Sequence, residues 1–182
     1  MNRRGFGFRR TPANPHIPPA LQRAHELMEF GNYAEAAVAF EKLAQGAEKR
    51  KGPRAPFLFL QAGTARIYLL QTAVGMGHLR HGLELFAATD RYSLLYRTGG
   101  RIVRELKARG LAKEAQEIAS MLQRNIPAIS ESPTQRGTDP GRASLPTHCG
   151  SCGGPIRSDE VDWIDAHTAE CSFCGSPISN LE

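Results

Sequence analysis

Residues 149–156 read Cys-Gly-Ser-Cys-Gly-Gly-Pro-Ile, and residues 171–178 read Cys-Ser-Phe-Cys-Gly-Ser-Pro-Ile. These two stretches contain all 4 cysteines of the 182-residue chain and repeat one pattern. Two cysteines three positions apart on a tight turn can direct both sulfurs at one ion, and the glycine that follows readily takes the positive φ of such a turn. The stretches therefore predict one metal ion bound by four thiolates, those of Cys149, Cys152, Cys171 and Cys174.

Residues 147–180 resemble the zinc-ribbon family, in which two metal knuckles and a small sheet surround one structural zinc ion. Between the two cysteine pairs, residues 161–171 mix apolar and polar side chains as a strand does. The resemblance implies a small β zinc ribbon over residues 148–182 with one structural Zn2+. Because four thiolates leave no open position on the metal, we do not expect catalysis there.

Two other interpretations of the cysteines stay open. A rubredoxin-like iron centre uses the same paired turns. Two disulfides are the other alternative, although the start of the chain has no apolar segment typical of a secretory signal. His148 and His167 lie near the cysteines and are expected to be surface residues rather than ligands.

Residues 17–125 have the apolar periodicity of helices, which predicts a mainly α protein with six helices paired as three hairpins. Gly31, Gly77 and Gly110 are the expected turns within these hairpins. The interval from Gly77 to Gly110 is 33 residues, near the roughly 34-residue period of tetratricopeptide repeats. The interval from Gly31 to Gly77 is 46 residues, which we attribute to a polar insert around residues 48–54.

The first hairpin resembles the tetratricopeptide-repeat family most closely. The residues that carry the resemblance are Ala24, Leu27, Gly31, Tyr33, Ala36 and Phe40. The family's tryptophan near the repeat start and proline at its end are missing, so an ordinary six-helix bundle remains an alternative. The resemblance implies a helical solenoid over residues 17–125 whose groove binds a peptide or a partner protein.

The rest of the chain divides by composition and charge. Residues 1–16 form a basic arm predicted to be disordered, and the Pro-, Ser- and Gly-rich residues 126–147 are predicted to be a flexible linker. Residues 21–125 carry a net charge of +6, whereas residues 148–182 carry −5. No apolar run reaches the length of a membrane helix, and reduced thiols are typical of the cytosol, so we expect a cytoplasmic protein.

The sequence offers no catalytic constellation, and the first functional hypothesis is a non-enzymatic protein–protein interaction adaptor. A nucleic-acid-associated zinc-ribbon protein is an alternative, suggested by the pI of about 9.3 and the arginine-rich arm. An electron carrier with a rubredoxin-like iron centre is another.

Three arginines predict a partner-binding face. Arg97, Arg101 and Arg104 recur on one side of the fifth helix, which in the repeat family would line the groove. Guanidinium groups there would favour an acidic ligand. That ligand is expected to be an acidic peptide of another protein or the chain's own acidic zinc ribbon. The helical part and the ribbon are otherwise expected to fold independently.

Overall fold

The computed structural model describes residues 17–125, 144–157, 161–163, 167–171 and 173–179. The predicted arm at 1–16 and most of the predicted linker, residues 126–143, lie outside these ranges. Six helices and three short strands form the described part of the chain. Their bounds are α1 Pro19–Glu29, α2 Tyr33–Lys49, α3 Ala55–Tyr68, α4 Thr72–Ala88, α5 Tyr92–Ala108, α6 Ala112–Arg124, β1 Asp162–Trp163, β2 Thr168–Glu170 and β3 Pro177–Ser179.

Each helix packs against its neighbours in the chain, from α1 on α2 to α5 on α6. The α3–α4 and α2–α3 contacts are the most extensive, and the α4–α5 contact is the smallest of these five. None of the described helices is both long and apolar enough to cross a membrane.

The five turns between the helices share one geometry. Each turn has one residue with positive φ, and these residues are Gly31, Lys51, Leu70, Asp90 and Gly110. The amide of the residue that follows donates back to a carbonyl in the preceding helix, as Asn32 N does to Leu27 O at 2.8 Å and Leu111 N does to Leu106 O at 2.9 Å. This is the Schellman arrangement that commonly ends helices. The positive-φ residues recur every 19 or 20 positions, so the helix–turn unit is regular along the array.

Gly31 and Gly110 are turn residues, as the sequence predicts, but the prediction for Gly77 is wrong. The α3–α4 turn lies at Leu70, with φ of 60°, and Gly77 lies inside α4. The hairpin turns therefore lie at Gly31, Leu70 and Gly110, at intervals of 39 and 40 residues. The predicted 33-residue interval between hairpin turns is not observed. A glycine within a helix, such as Gly77, has the same local sequence signal as a glycine at a helix end.

The glycine beside it, Gly75, has a packing role. A methyl group on Gly75 would lie 2.9 Å from both Gly63 O and Ile67 Cδ1 on α3. A methyl group on Gly63 would likewise lie 2.9 Å from Gly75 O. Since real side chains do not approach so closely, the two glycines allow α3 and α4 to pack with their backbones nearly in contact.

The core consists of two clusters of buried side chains. The first joins α1, α2 and α3 to the cysteine-containing segment, and its members include Leu21, Ala24, Phe40, Leu58, Ile178 and the four cysteines. The second joins α3 through α6, and its members include Phe57, Leu83, Phe86, Leu95 and Ile118. The helices of the first cluster thus share their core with the C-terminal cysteines, which argues against the predicted independent folding of the two parts.

The C-terminal segment forms a three-stranded antiparallel sheet in the order β1-β2-β3. In this sheet Ala169 pairs with Ile178, and both side chains are buried. We call the described residues between 144 and 179 the cysteine module.

Candidate metal centre

The sulfurs of Cys149, Cys152, Cys171 and Cys174 form one compact group. The four sulfurs all lie within 4.8 Å of one another. Cys149 Sγ is 3.8 Å from Cys174 Sγ, and Cys152 Sγ is 3.7 Å from Cys171 Sγ. Four sulfurs about 2.3 Å from a tetrahedral metal ion would be about 3.8 Å apart, so the donor set fits one such ion. All four side chains are at most 8% exposed.

Two matching turns position the four sulfurs. In the first turn, Gly153 N donates to Cys149 O at 2.8 Å, and in the second, Gly175 N donates to Cys171 O at 2.8 Å. The two glycines have φ of 75° and 69°, which is the left-handed conformation that glycine adopts without strain. The repeated Cys-x2-Cys-Gly pattern therefore encodes two nearly identical knuckles.

Backbone amides surround the sulfurs with hydrogen-bond donors. Ser151 N donates to Cys149 Sγ, Gly154 N to Cys152 Sγ and Phe173 N to Cys171 Sγ, each at 3.4 Å. Amides aimed at sulfur stabilise thiolate relative to thiol, and such outer contacts also orient metal ligands.

The thiols also change one another's pKa values. Contact with the Cys152 sulfur lowers the pKa of Cys149, and the reciprocal contact with the Cys149 sulfur raises the pKa of Cys152. Four sulfurs this close cannot all ionise without a cation, because like charges repel strongly in a buried site. A divalent metal ion would supply the charge that allows all four to be thiolates, and with four ligands it would have no position left for a substrate.

Neither nearby histidine belongs to this group, which within the described residues consists of the four cysteines. His148 points away, with Nε2 3.5 Å from Glu29 Oε1 at the end of α1. His167 is exposed. Both positions agree with the prediction that these histidines are not ligands.

The cysteine module lies directly against α1 and α3, which the periodicity of the sequence did not indicate. A methyl group on Gly153 would lie 3.0 Å from Ile17 Cδ1, and one on Gly175 would lie 2.7 Å from Phe57 Cζ. Both knuckles thus present backbone to apolar side chains of the helical domain. The cavity at this contact is about 10 Å³, which is room for roughly one water molecule.

His25 on α1 is the polar residue at the centre of this contact. Its ring packs edge-on against Phe173 of the module at 5.2 Å and against Phe40 of α2 at 5.3 Å. Burial lowers the pKa of His25 to about 4, so the ring is neutral near pH 7 and packs as an aromatic side chain. This role has no sequence signal, since a histidine among the apolar positions of a helix has no distinctive pattern.

The three arginines of the predicted partner-binding face lie in different surroundings. Arg97 Nη2 is 2.6 Å from Glu170 Oε2, and this pair joins α5 to the end of β2. The two side chains are 26% and 13% exposed. Arg101 is half-buried and Arg104 is exposed. Whether this face binds a partner stays a prediction.

Comparison of the chain with protein-family models, with curated proteins and with solved structures finds no match.

Proposed function

We propose that this protein is a non-enzymatic protein–protein interaction adaptor, built from a tetratricopeptide-like helical repeat and a zinc ribbon. The observation that carries the proposal is the closed, buried four-sulfur site that shares its core with α1, α2 and α3. A metal ion in such a site contributes to folding and has no position for catalysis. We therefore assign the metal a structural role. We assign the function to the protein surface that the metal stabilises.

Two features of the helices support the proposal that residues 17–125 form a helical-repeat domain. Helices that pack on their chain neighbours at intervals of 19 or 20 residues are typical of repeat arrays. In the first hairpin Ala24, Ala36 and Phe40 are fully buried, as the resemblance requires. The hairpin interval of 39 to 40 residues is longer than the roughly 34 of the tetratricopeptide family, so the resemblance is closest in the first hairpin.

Zinc is the metal that we propose. Four thiolates in tetrahedral spacing suit zinc, and a site of this kind persists where thiols stay reduced, which supports the cytoplasm as the location. Elemental analysis of protein from unsupplemented growth should find about one zinc per chain. One equivalent of iron, with the red colour of a ferric thiolate, would instead identify an electron carrier.

Affinity capture of the full chain from its native cell, followed by chemical crosslinking and mass spectrometry, tests the adaptor function. A partner protein that crosslinks to residues 17–125 and stays bound after nuclease treatment supports it. Recovery of nucleic acid, with binding that weakens steeply between two salt concentrations, would support the alternative nucleic-acid-associated function. Absence of a recurring protein partner contradicts the adaptor.

A further inference from the structure

The cysteine module lies on a surface of the helical domain that we call the docking face. The docking face consists of Ile17, His25, Phe57 and Arg97. Its members come from the start of the described chain and from α1, α3 and α5. The module contacts the face through the backbone of its two knuckles, the ring of Phe173 and the carboxylate of Glu170.

We propose that the docking face binds an acidic segment of a partner protein, with a carboxylate three residues before an aromatic ring, and that the cysteine module occupies it as a displaceable internal ligand. This inference rests on the proposed adaptor function and names its binding surface and the chemistry of its partner.

The charges of the docking face explain the preference for a carboxylate. Arg97 holds Glu170 at 2.6 Å, and both groups are largely removed from water. The guanidinium of Arg91 is 5.4 Å from the centroid of the Phe57 ring. A partly buried ion pair adds little to stability compared with apolar packing, but it selects strongly for a carboxylate at that position. The whole domain favours the same ligand, because residues 21–125 carry +6 and residues 148–182 carry −5.

The aromatic preference follows from His25. Its ring meets Phe173 edge-on at 5.2 Å, with an interplanar angle of 89°. Glu170 and Phe173 are three positions apart in the module, so one short segment reaches both Arg97 and His25. A partner segment with the same two groups at the same spacing can make the same two contacts.

The size of the module makes displacement feasible. Its sheet has strands of only 2 or 3 residues, so its stability depends on the metal site more than on its own core. Because the module is covalently attached, it competes at an effective concentration on the order of millimolar. A partner therefore binds tightly only when the module is loosened.

The test uses a fluorescent synthetic peptide with a glutamate three residues before a phenylalanine, and fluorescence anisotropy on the full-length, zinc-loaded protein. Glu170→Gln removes the carboxylate that holds the module to Arg97 and leaves all four cysteines in place. We expect this variant to bind the peptide about tenfold more tightly than the wild type, because more of the docking face is open. The matched control is Glu84→Gln, which changes an exposed carboxylate on α4 and should leave the affinity unchanged.

A second pair of variants identifies the site on the helical side. In the Glu170→Gln background, Arg97→Glu should abolish peptide binding, whereas Lys107→Glu, at an exposed position on the same helix, should preserve most of it. A peptide with glutamine in place of glutamate should bind as weakly as the Arg97→Glu variant. Helical circular dichroism of each variant confirms that the array is folded.

Hydrogen exchange supplies a measurement that does not depend on affinity. Saturating peptide should increase exchange in residues 168–179 and in α1, because a displaced module leaves the core that it shares with that helix. Equal peptide affinity in wild type and Glu170→Gln, or peptide binding that survives Arg97→Glu, overturns the inference and makes the module a permanent part of the fold. If a captured partner crosslinks elsewhere on residues 17–125, the adaptor function stands while this inference fails.

Discussion

Around α1, α2 and α3 the core contains four cysteine side chains beside Leu21, Ala24 and Phe40. Around α4, α5 and α6 the core is built from aliphatic and aromatic side chains such as Leu83, Phe86 and Ile118. We call these the cysteine core and the aliphatic core. The six helices thus complete their burial in two ways, at one end with the four-cysteine cluster and at the other with helix packing. The difference implies that metal removal acts on one end of the array.

The largest effect is expected from loss of a metal ligand. Cys171→Ser should lower bound zinc from about one equivalent to nearly none, because Zn2+ then has three thiolates and the apparent binding free energy of such sites, about 10–16 kcal/mol, is largely folding free energy. Elemental analysis and thermal unfolding should both show the loss. The control is Ser151→Ala, which leaves the four sulfurs in place. Full zinc content in Cys171→Ser would contradict the four-sulfur assignment.

Truncation of one buried ring in each core separates the two regions. Phe40→Ala and Phe86→Ala should each lower the free energy of unfolding by about 3–5 kcal/mol, since both rings are fully buried. Only Phe40→Ala should also weaken zinc affinity, because Phe40 packs on His25 and belongs to the cysteine core. Competition with a chelator measures this affinity. Equal zinc affinity in both variants would show that zinc binding does not depend on the packing of the helices.

A smaller, pH-dependent effect is expected at Tyr68, away from the metal. Burial, with a hydrogen bond from Tyr68 Oη to Glu105 Oε1 at 2.7 Å, raises the pKa of Tyr68 to about 12. Since the unfolded phenol ionises near pH 10, this stabilisation is fully present below pH 10 and is lost as the pH rises toward 12.

Urea unfolding of wild type and Tyr68→Phe at pH 9 and pH 11 measures the effect. The stability difference between the two proteins should shrink by roughly 0.5–1 kcal/mol at the higher pH, after allowance for solvent screening. An ultraviolet titration should also show one phenol that ionises late and is missing in Tyr68→Phe. Identical differences at both pH values would contradict the burial of this hydroxyl.

The smallest effect concerns the turns. Leu70 has φ of 60° and is 89% exposed, so it bears the strain of the left-handed conformation without compensating burial. Leu70→Gly should raise the free energy of unfolding by roughly 0.5–1 kcal/mol, and Gly110→Leu, at the equivalent turn of the next hairpin, should lower it by a similar amount. Denaturant midpoints measure both. A lower free energy of unfolding in Leu70→Gly would show that the Leu70 side chain makes a stabilising contact.

Part of this architecture could be predicted from the sequence because its signals are local. The paired Cys-x2-Cys-Gly turns specify the two knuckles within a few residues, and Gly31 and Gly110 mark two helix ends. The other three turns use Lys51, Leu70 and Asp90, and of these only Asp90 is a residue type enriched at positive φ, so the regular spacing of the turns has no clear sequence signal.

The contact between the module and the helices could not be predicted in the same way. Ile17, His25 and Phe57 fit the apolar pattern of any core-facing residue, and nothing local distinguishes a position that packs on another helix from one that packs on a knuckle. The only indication in the sequence is the opposite net charge of the two segments. In the described part of the chain, Arg97 and Glu170 form the ion pair between an arginine of the helices and a carboxylate of the module.

Hydrogen exchange with mass spectrometry on the zinc-loaded and chelator-treated protein compares the two cores in a single experiment. The shared cysteine core predicts that chelation increases exchange in the cysteine module and also in α1, while α6 keeps its protection. An increase confined to the module, with α1 as protected as before, would show that the helices fold without the metal and would contradict a core shared between them.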